Sequence, residues 1–407
     1  MELDDFNVLI GPNAAGKSNF LQILRFVRDV YNWGLDNAIS LEGGITFLRN
    51  VKLGASQPTM IEITADARNQ ILSQVAGERY VAQNDAQVLF RAREMVYRLA
   101  VKSRSRGRSF EVGEDTLRVS ADIFTKSESK EGPTERSLGE GSILITKSRN
   151  KINSNIEIKA GTEPITKVRN QPHIEPRIKP KSVLLEAPYA YFNGSLLSQL
   201  AQDITVLDFD PKMSKRATAI VGKVDLEEDG SNLSIVLKNI VEDKKKRQEL
   251  IQLVSDLLRF VKEIDVEKFA DRSLLFKLKE SYSEKHVIPA SLISEGSINV
   301  SALVVALYFM QHSFVAIEEP ERNLHPFLIS KVVEMIQDVS RKKQVLATTH
   351  SVELVRKVDP RKILIVERDQ DGYSNVMRPE EKETVKGFLE NGMGIDELYA
   401  QNFFEET

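Results

Sequence analysis

Eight residues near the start, Gly11-Pro12-Asn13-Ala14-Ala15-Gly16-Lys17-Ser18, fit the spacing G-x-x-x-x-G-K-[ST]. Glycines at such positions let backbone N–H groups curl around a phosphate, and a helix starting there adds partial positive charge. Lys17 would reach the β- and γ-phosphates of a nucleotide such as ATP, and the Ser18 hydroxyl would hold Mg2+. Far along the chain, Phe314-Val-Ala-Ile317 runs into Glu318-Glu319-Pro320. A buried strand ending in two carboxylates places both at the edge where parallel sheets bind ligands. Glu318 is placed for the metal, and Glu319 for polarising an attacking water. Leu346-Ala-Thr-Thr349-His350-Ser351 ends another strand, where His350 could contact the γ-phosphate and sense its loss. Ser294-Glu295-Gly296-Ser297 precedes an apolar helix and offers a second set of free N–H donors, with Ser294 and Gly296 as its anion-binding residues.

These motifs need a strand and a helix around each loop, and the pattern supplies them. Phe6 to Ile10 reads as a strand, and from Lys17 the apolar residues Phe20, Leu21, Leu24, Val27 and Tyr31 follow a 3.6-residue period. In the last third, Asn299–Met310 reads as a buried helix, Phe314–Ile317 as a strand, Leu328–Val339 as a helix, and Gln344–Thr348 and Ile363–Val366 as strands. Such alternation predicts a parallel sheet covered by helices, an α/β fold. Residues 245–264 read as one long amphipathic helix, through Leu250, Leu253, Val254, Leu257, Leu258 and Val261. Glu94–Val101, Leu117–Phe124 and 142–158 read as strands of a β-rich lobe, 125–141 as a solvated loop, and 161–180, with four prolines, as irregular. The expected organisation is 1–90 with the phosphate loop, 91–181 as the antiparallel β-rich lobe and insertion, and 182–407 with the remaining motifs.

The 407 residues contain no cysteine, which excludes a disulfide scaffold and any cysteine-bound metal. The five histidines show no short ligand spacing. The apolar run Ala302 to Met310 is far short of the ~20 residues of a membrane span. The first residues lack the basic and apolar regions of a signal peptide, so a cytoplasmic protein with no membrane partner is expected.

The order of motifs (phosphate loop, long interval, Ser-x-Gly, Glu-Glu, His) resembles the ABC-type ATPases, in particular the RecF/SMC/OLD-like branch of bacterial AAA family ATPases. Glu319-Pro320-Glu321-Arg322-Asn323-Leu324-His325-Pro326 is similar to that group's pattern after the acids, and Thr349-His350-Ser351 to its switch histidine. Gly43-Gly44-Ile-Thr-Phe, Leu207-Asp208-Phe-Asp210-Pro211, Asp229-Gly230-Ser231-Asn232-Leu233 and Gly392-Met-Gly394-Ile-Asp-Glu397-Leu398 extend the likeness over most of the chain outside about 125–180. There are departures. Glu295 and Ser297 stand where the signature usually has Asp and Thr, Glu318 stands where the first acid is usually Asp, and the relatives' Asn-Phe-Lys/Arg-Ser-like motif ahead of the phosphate loop has no match. No adenine-contacting residue or glutamine-type loop is therefore assigned. The resemblance implies a P-loop NTPase fold of the ABC-ATPase type, Mg2+-dependent ATP hydrolysis, and closure of Ser294 and Gly296 of one subunit over ATP held by another. One phosphate loop beside two anion-binding helix starts also fits a two-fold homodimer.

The whole chain carries 56 basic and 59 acidic side chains, a formal charge of −3. Residues 91–108 contain seven basic residues (Arg91, Arg93, Arg98, Lys102, Arg104, Arg106, Arg108) against Glu94, and 142–181 nine against three, a net of +6 in each. That asymmetry predicts a duplex DNA surface, and with it a role in repair, genome maintenance or phage defence. The alternative is a nucleotide-gated protein that controls a separately encoded effector protein and binds no DNA. Glu367, Asp369 and Asp371 read as a strand and turn rather than as ligands of a nuclease metal.

Overall fold

The computed structural model describes the chain except residues 49–56, 69, 76–78, 84, 105–108, 130–131, 160–164, 169–178, 187–200, 221–224, 270–271, 283–285, 402 and 405–407, and the side chains of 128–133. Arg106, Arg108, His173 and most of the proline-rich stretch lie outside the described residues. The chain forms two compact units, Met1–Arg25 with Ile204–Thr407, and Phe26–Asp203.

The first unit is built on a six-stranded sheet in the order Ile204–Leu207, Phe314–Glu318, Gln344–Thr348, Phe6–Ile10, Ile363–Arg368 and Ser374–Met377. Every neighbouring pair is parallel except the last. Phe6–Ile10 is buried along its whole length, which is why it reads as apolar-rich rather than alternating, and its one polar residue, Asn7, donates to the Asp4 carbonyl at 2.7 Å. Parallel pairing brings the C-terminal ends of all five parallel strands to one edge. Gly11, Asp208, Glu318–Glu319 and Thr349–His350 follow four of them. This is the P-loop NTPase arrangement, an α/β fold with the phosphate-loop helix Lys17–Trp33 leaving that edge. A four-stranded antiparallel sheet, with Val261–Phe269 and Ser273–Glu280 as its long strands, packs in the same core through Ile264, Phe276 and Leu278.

Two helix expectations change here. The helix from Lys244 ends at Leu257, and Val261 begins a strand. The apolar stripe continued in register past the true end because Val261 and Ile264 face the same core as Leu250 and Val254. Pairing with Ser273–Glu280 decides their backbone. The buried helix after Ser294 is α-helical over Glu295–Val304 and then becomes a π-helical turn, Val305–Phe309.

The second unit is dominated by an antiparallel sheet in the order Thr59–Asp66, Val88–Arg104, Ser109–Ser129, Gly132–Ser148 and Lys151–Ile158. Residues 125–141, expected as a loop, are mostly strand. Thr125 faces Arg136, Lys126 faces Glu135 and Ser127 faces Thr134. The Ser127 and Thr134 hydroxyls lie 2.8 Å apart. A hairpin polar on its exposed side chains is held by its ladder and such cross-strand pairs, and leaves no apolar alternation to read.

Candidate nucleotide site

The phosphate loop turns where side chains have no room. Gly11 has φ +155° and a Cβ there would come within 2.2 Å of the Val366 carbonyl oxygen. Gly16, at φ +116°, lies in the left-handed region, and a Cβ would meet Ser374 Oγ at 2.2 Å. The hairpin after Ile363–Arg368 braces the loop, since Ser374 Oγ donates to the Ala15 carbonyl at 2.6 Å and Arg368 to that of Ala14 at 3.4 Å. Pro12 accepts from the Ala15 N–H at 3.3 Å, and Asn13 and Ala14 are exposed at the tip.

Lys17 is buried, and its ammonium donates to the carbonyls of Gly11 at 2.8 Å and Pro12 at 3.0 Å. Burial lowers its pKa to about 8, against the opposing pull of the Glu319 and Glu318 carboxylates. Ser18 Oγ donates to Glu318 Oε1 at 2.8 Å, so residues 300 positions apart in the chain meet at one point. Arg25 stands 4.0 Å from the other Glu318 oxygen and is itself held by Glu228 at 3.0 Å.

Glu319 adopts φ +46°, a strained value for a residue with a side chain, so it leaves the line of the strand. Its N–H donates to the Thr348 carbonyl at 2.9 Å. Arg322 Nε donates to Glu319 Oε2 at 3.2 Å, while its Nη1 reaches Asp208 Oδ1 at 2.8 Å and the Phe209 carbonyl at 3.1 Å. Two residues on, the Glu321 carboxylate accepts a bond from Thr349 Oγ1. Burial raises the Glu321 pKa, and its Oε2 is buried without a partner. His350 itself is exposed, and its pKa is lowered by partial burial and by the Lys17 ammonium, with Glu319 and Glu318 acting the other way.

Ser294 caps the Glu295–Val304 helix by accepting from the Ser297 N–H at 3.2 Å. A Cβ on Gly296 would lie 2.6 Å from the Asn323 carbonyl oxygen, and Asn299 donates to the carbonyls of Pro320 and Arg322 at 3.3 and 2.8 Å. The signature helix is thus packed on the turn that follows the paired acids. The structure brings together the phosphate loop, Ser18, Glu318, Glu319 and the turn before His350. The described contacts set Gly296 against Asn323 of the Glu319–Asn323 turn, while the Ser294 hydroxyl bonds within its own helix start to Ser297.

Sequence reasoning passed over Arg25, Asp208, Arg322, Glu321 and Tyr399. Arg25 lies seven residues, two helical turns, beyond Ser18, and that spacing alone puts both on one face. Tyr399 Oη lies 3.4 Å from the Gly11 carbonyl and 3.5 Å from that of Thr349.

The donors suit a magnesium–nucleotide pair. Ser18 and Glu318 offer hard oxygen ligands side by side, and Mg2+ keeps most of its shell as water and phosphate oxygen rather than protein cages. No group of three or more His, Cys, Asp or Glu that could hold a metal occurs among the described residues. Glu367 pairs with Lys382, and Asp369 Oδ1 accepts from the N–H groups of Asp371 and Tyr373 at 3.0 and 2.8 Å, a strand end and its turn. Among the described residues no helix is long and apolar enough to cross a membrane.

The chain is 30% identical over 97 residues to the Septu protein PtuA of Bacillus thuringiensis. That match covers 22% of this chain and 24% of the relative, so the chain spans about a quarter of the length of the curated protein it matches. An Smc head domain with an extended coiled coil from Pyrococcus furiosus, bound to the C-terminal domain of ScpA, is 12% identical. It covers 97% of this chain and 95% of its own, with a TM-score of 0.41. The SMC head domain from Thermotoga maritima is 10% identical, over 93% of this chain and 92% of its own, with a TM-score of 0.37. The sequence model of a family described as "AAA domain, putative AbiEii toxin, Type IV TA system" matches residues 6–356. That match runs from the central strand of the parallel sheet into the helix after His350, the stretch that supplies nearly every residue of the site, and on that ground the chain belongs to this AAA-domain family, an ATPase family of the ABC type.

Proposed function

We propose that the protein is a Mg2+-dependent ATPase that works as an ATP-driven dimerisation switch. The observation that carries this reading is the 2.8 Å bond between Ser18 Oγ and Glu318 Oε1, with Glu319 next in the chain and turned away by its positive φ. Bound ATP and Mg2+ would supply the phosphoanhydride bond and the cation that neutralises its charge. Lys17 would exchange its two backbone carbonyls for phosphate oxygens, and the loop from Gly11 to Ser18 would give its N–H groups to them. Ser18 and Glu318 would hold the metal. Glu319, kept in place by Arg322, would orient and deprotonate the attacking water. His350, kept neutral by its surroundings, would face the γ-phosphate from the neighbouring strand end. Ser294 and Gly296 would close on the nucleotide of a second copy, a reading supported by their described contacts, which run to Ser297 and to Asn323 rather than to the phosphate loop of their own chain.

The partner of this switch is better read as a protein than as DNA. Four of the seven basic residues counted in 91–108 already face carboxylates on other strands. Arg91 meets Glu135 at 2.7 Å, Arg93 meets Glu140 at 3.1 Å and Asp122 at 3.3 Å, and Arg98 and Arg104 pair with Glu62 and Glu111. In the second stretch, Lys159 pairs with Glu140 at 2.8 Å and Lys147 is buried against the Pro180 carbonyl. A tally along the chain counts the arginines and misses the acids across the ladder. The family description, which names a toxin of a type IV toxin–antitoxin system, also suits a switch that gates an effector.

Light scattering with ATP and Mg2+ tests the switch. Glu319→Gln should accumulate a dimer that wild type forms only transiently, and Ser294→Arg should bind ATP yet remain monomeric. A monomeric Glu319→Gln, or a Ser294→Arg protein that dimerises, would overturn the trans arrangement.

A further inference from the structure

Both glycines of the phosphate loop are pressed against one hairpin. Gly11 continues the strand Phe6–Ile10, which pairs in parallel with Ile363–Arg368, and a Cβ on it would meet the Val366 carbonyl oxygen at 2.2 Å. Gly16 lies against the start of the next strand, Ser374–Met377, where a Cβ would meet Ser374 Oγ at 2.2 Å and Ser374 Cβ at 3.0 Å. The hairpin is tightly closed. Arg368 stands opposite Ser374 in the ladder, its Nε donates to the Gly372 carbonyl at 3.2 Å, and Asp369 Oδ1 accepts from the N–H groups of Asp371 and Tyr373 at 3.0 and 2.8 Å. Ser374 lies beyond residue 356, where the family match ends.

Ser374 Oγ donates to the Ala15 carbonyl at 2.6 Å. That carbonyl sits one residue ahead of the helix's first backbone bond, which runs from the Phe20 N–H to the Gly16 carbonyl at 2.9 Å. The peptide joining Ala15 to Gly16 is trans, so its C=O and N–H point in opposite directions. A carbonyl held against the hairpin therefore turns the Gly16 N–H away from it. A phosphate must use that side, since the hairpin fills the other. Glycine, without a Cβ, offers little resistance to rotation of the peptide, and the hydroxyl supplies the restraint that residue 16 lacks. Arg368 reaches the neighbouring Ala14 carbonyl at 3.4 Å, too long for a comparable hold.

We propose that Ser374 is a positioning residue for nucleotide binding, whose hydroxyl fixes the Ala15–Gly16 peptide with its N–H presented to a phosphate. The inference rests on the nucleotide reading of Gly11–Ser18. A donor that is already aimed need not be ordered on binding, so the restraint appears as affinity. The hydroxyl acts on the loop and not on Glu319, so it strengthens the hold on substrate and transition state alike. Uniform binding of that kind lowers KM and leaves kcat unchanged.

Calorimetry with ADP and steady-state ATP hydrolysis on wild type, Ser374→Ala and Ser374→Thr test this, with Tm as the check on folding. Ser374 is exposed, so loss of its hydroxyl hollows no core, and Tm should stay within about two degrees of wild type. Ser374→Ala should bind ADP roughly three- to tenfold more weakly, the worth of one neutral hydrogen bond, and raise KM for ATP by a like factor with kcat within about twofold. Ser374→Thr keeps the hydroxyl and should bind ADP within about twofold of wild type. Wild-type ADP affinity in Ser374→Ala would overturn the positioning role. So would a loss that threonine does not restore, or a kcat that falls as far as KM rises, since either points to a disturbed hairpin rather than an aimed N–H. A wild-type protein that binds no ADP would instead remove the nucleotide reading on which the inference rests.

Discussion

Charge is handled in opposite ways in the two units. At the edge of the parallel sheet, Lys17 bonds to two backbone carbonyls, although Glu318 and Glu319 stand near enough to affect its proton. Glu318 is shared between a hydroxyl and a distant arginine, and Glu319 hangs on a tethered Arg322. In the long antiparallel sheet, by contrast, Arg91, Arg93, Arg98 and Arg104 each pair with a carboxylate on another strand, Arg98 with the Glu62 directly opposite it. The first arrangement leaves charged groups ready to exchange partners, and the second has already matched them. Exposed pairs of the second kind are worth little in stability. They do cancel the field that a run of arginines would otherwise present.

Breaking the first arrangement should have large effects. Lys17→Ala should weaken ATP binding at least tenfold by calorimetry, because a charge-assisted bond of about 1.5–3 kcal/mol is lost. Unchanged affinity would remove the loop from the site. Arg322→Ala should slow hydrolysis by roughly ten- to a hundredfold while ATP affinity stays within about twofold, since only the aim of Glu319 is lost. An equal loss of binding would place Arg322 on the nucleotide instead.

A subtler test uses the proton on Lys17. Its pKa in the folded protein is about 8, below the ordinary 10.5, whereas the form bound to phosphate must be ammonium. Binding should therefore take up roughly half a proton per site at pH 8 and roughly a tenth at pH 7. Calorimetry in buffers of different ionisation enthalpy reads this directly, and Lys17→Arg should abolish the uptake. The smallest effect belongs to the second unit. Replacing Arg91 and Arg104 together by Glu should leave ATP hydrolysis unchanged and lower Tm slightly. If wild type binds duplex DNA at low salt and this variant does not, the cross-strand pairs open to phosphates and the DNA reading returns.

The same contrast explains what could be read from the chain. The strand Phe6–Ile10 and the helix from Lys17 were legible because full burial and a fixed loop spacing leave few alternatives. Glu318 and Glu319 were legible as a strand end, but the φ of +46° that separates their directions has no signature in residue type. Arg322 and Asp208 lay inside stretches already set apart by resemblance, yet their contact spans 114 positions and exists only because Ile204–Leu207 pairs with Phe314–Glu318. The hairpin over 125–141 and the end of the helix at Leu257 were missed for a related reason. Ladder pairing with a distant strand, rather than local pattern, decides both.

The central claim is that Glu319 is the group that acts on water while Glu318 serves the metal. The direct measurement is the steady-state rate of ATP hydrolysis, with Mg2+, for wild type, Glu319→Gln and Glu318→Gln, alongside ATP affinity. Glu319→Gln should bind ATP as wild type does and turn it over roughly a hundredfold more slowly or worse, whereas Glu318→Gln should lose activity in a way that added Mg2+ partly restores. Wild-type turnover by Glu319→Gln would contradict the account.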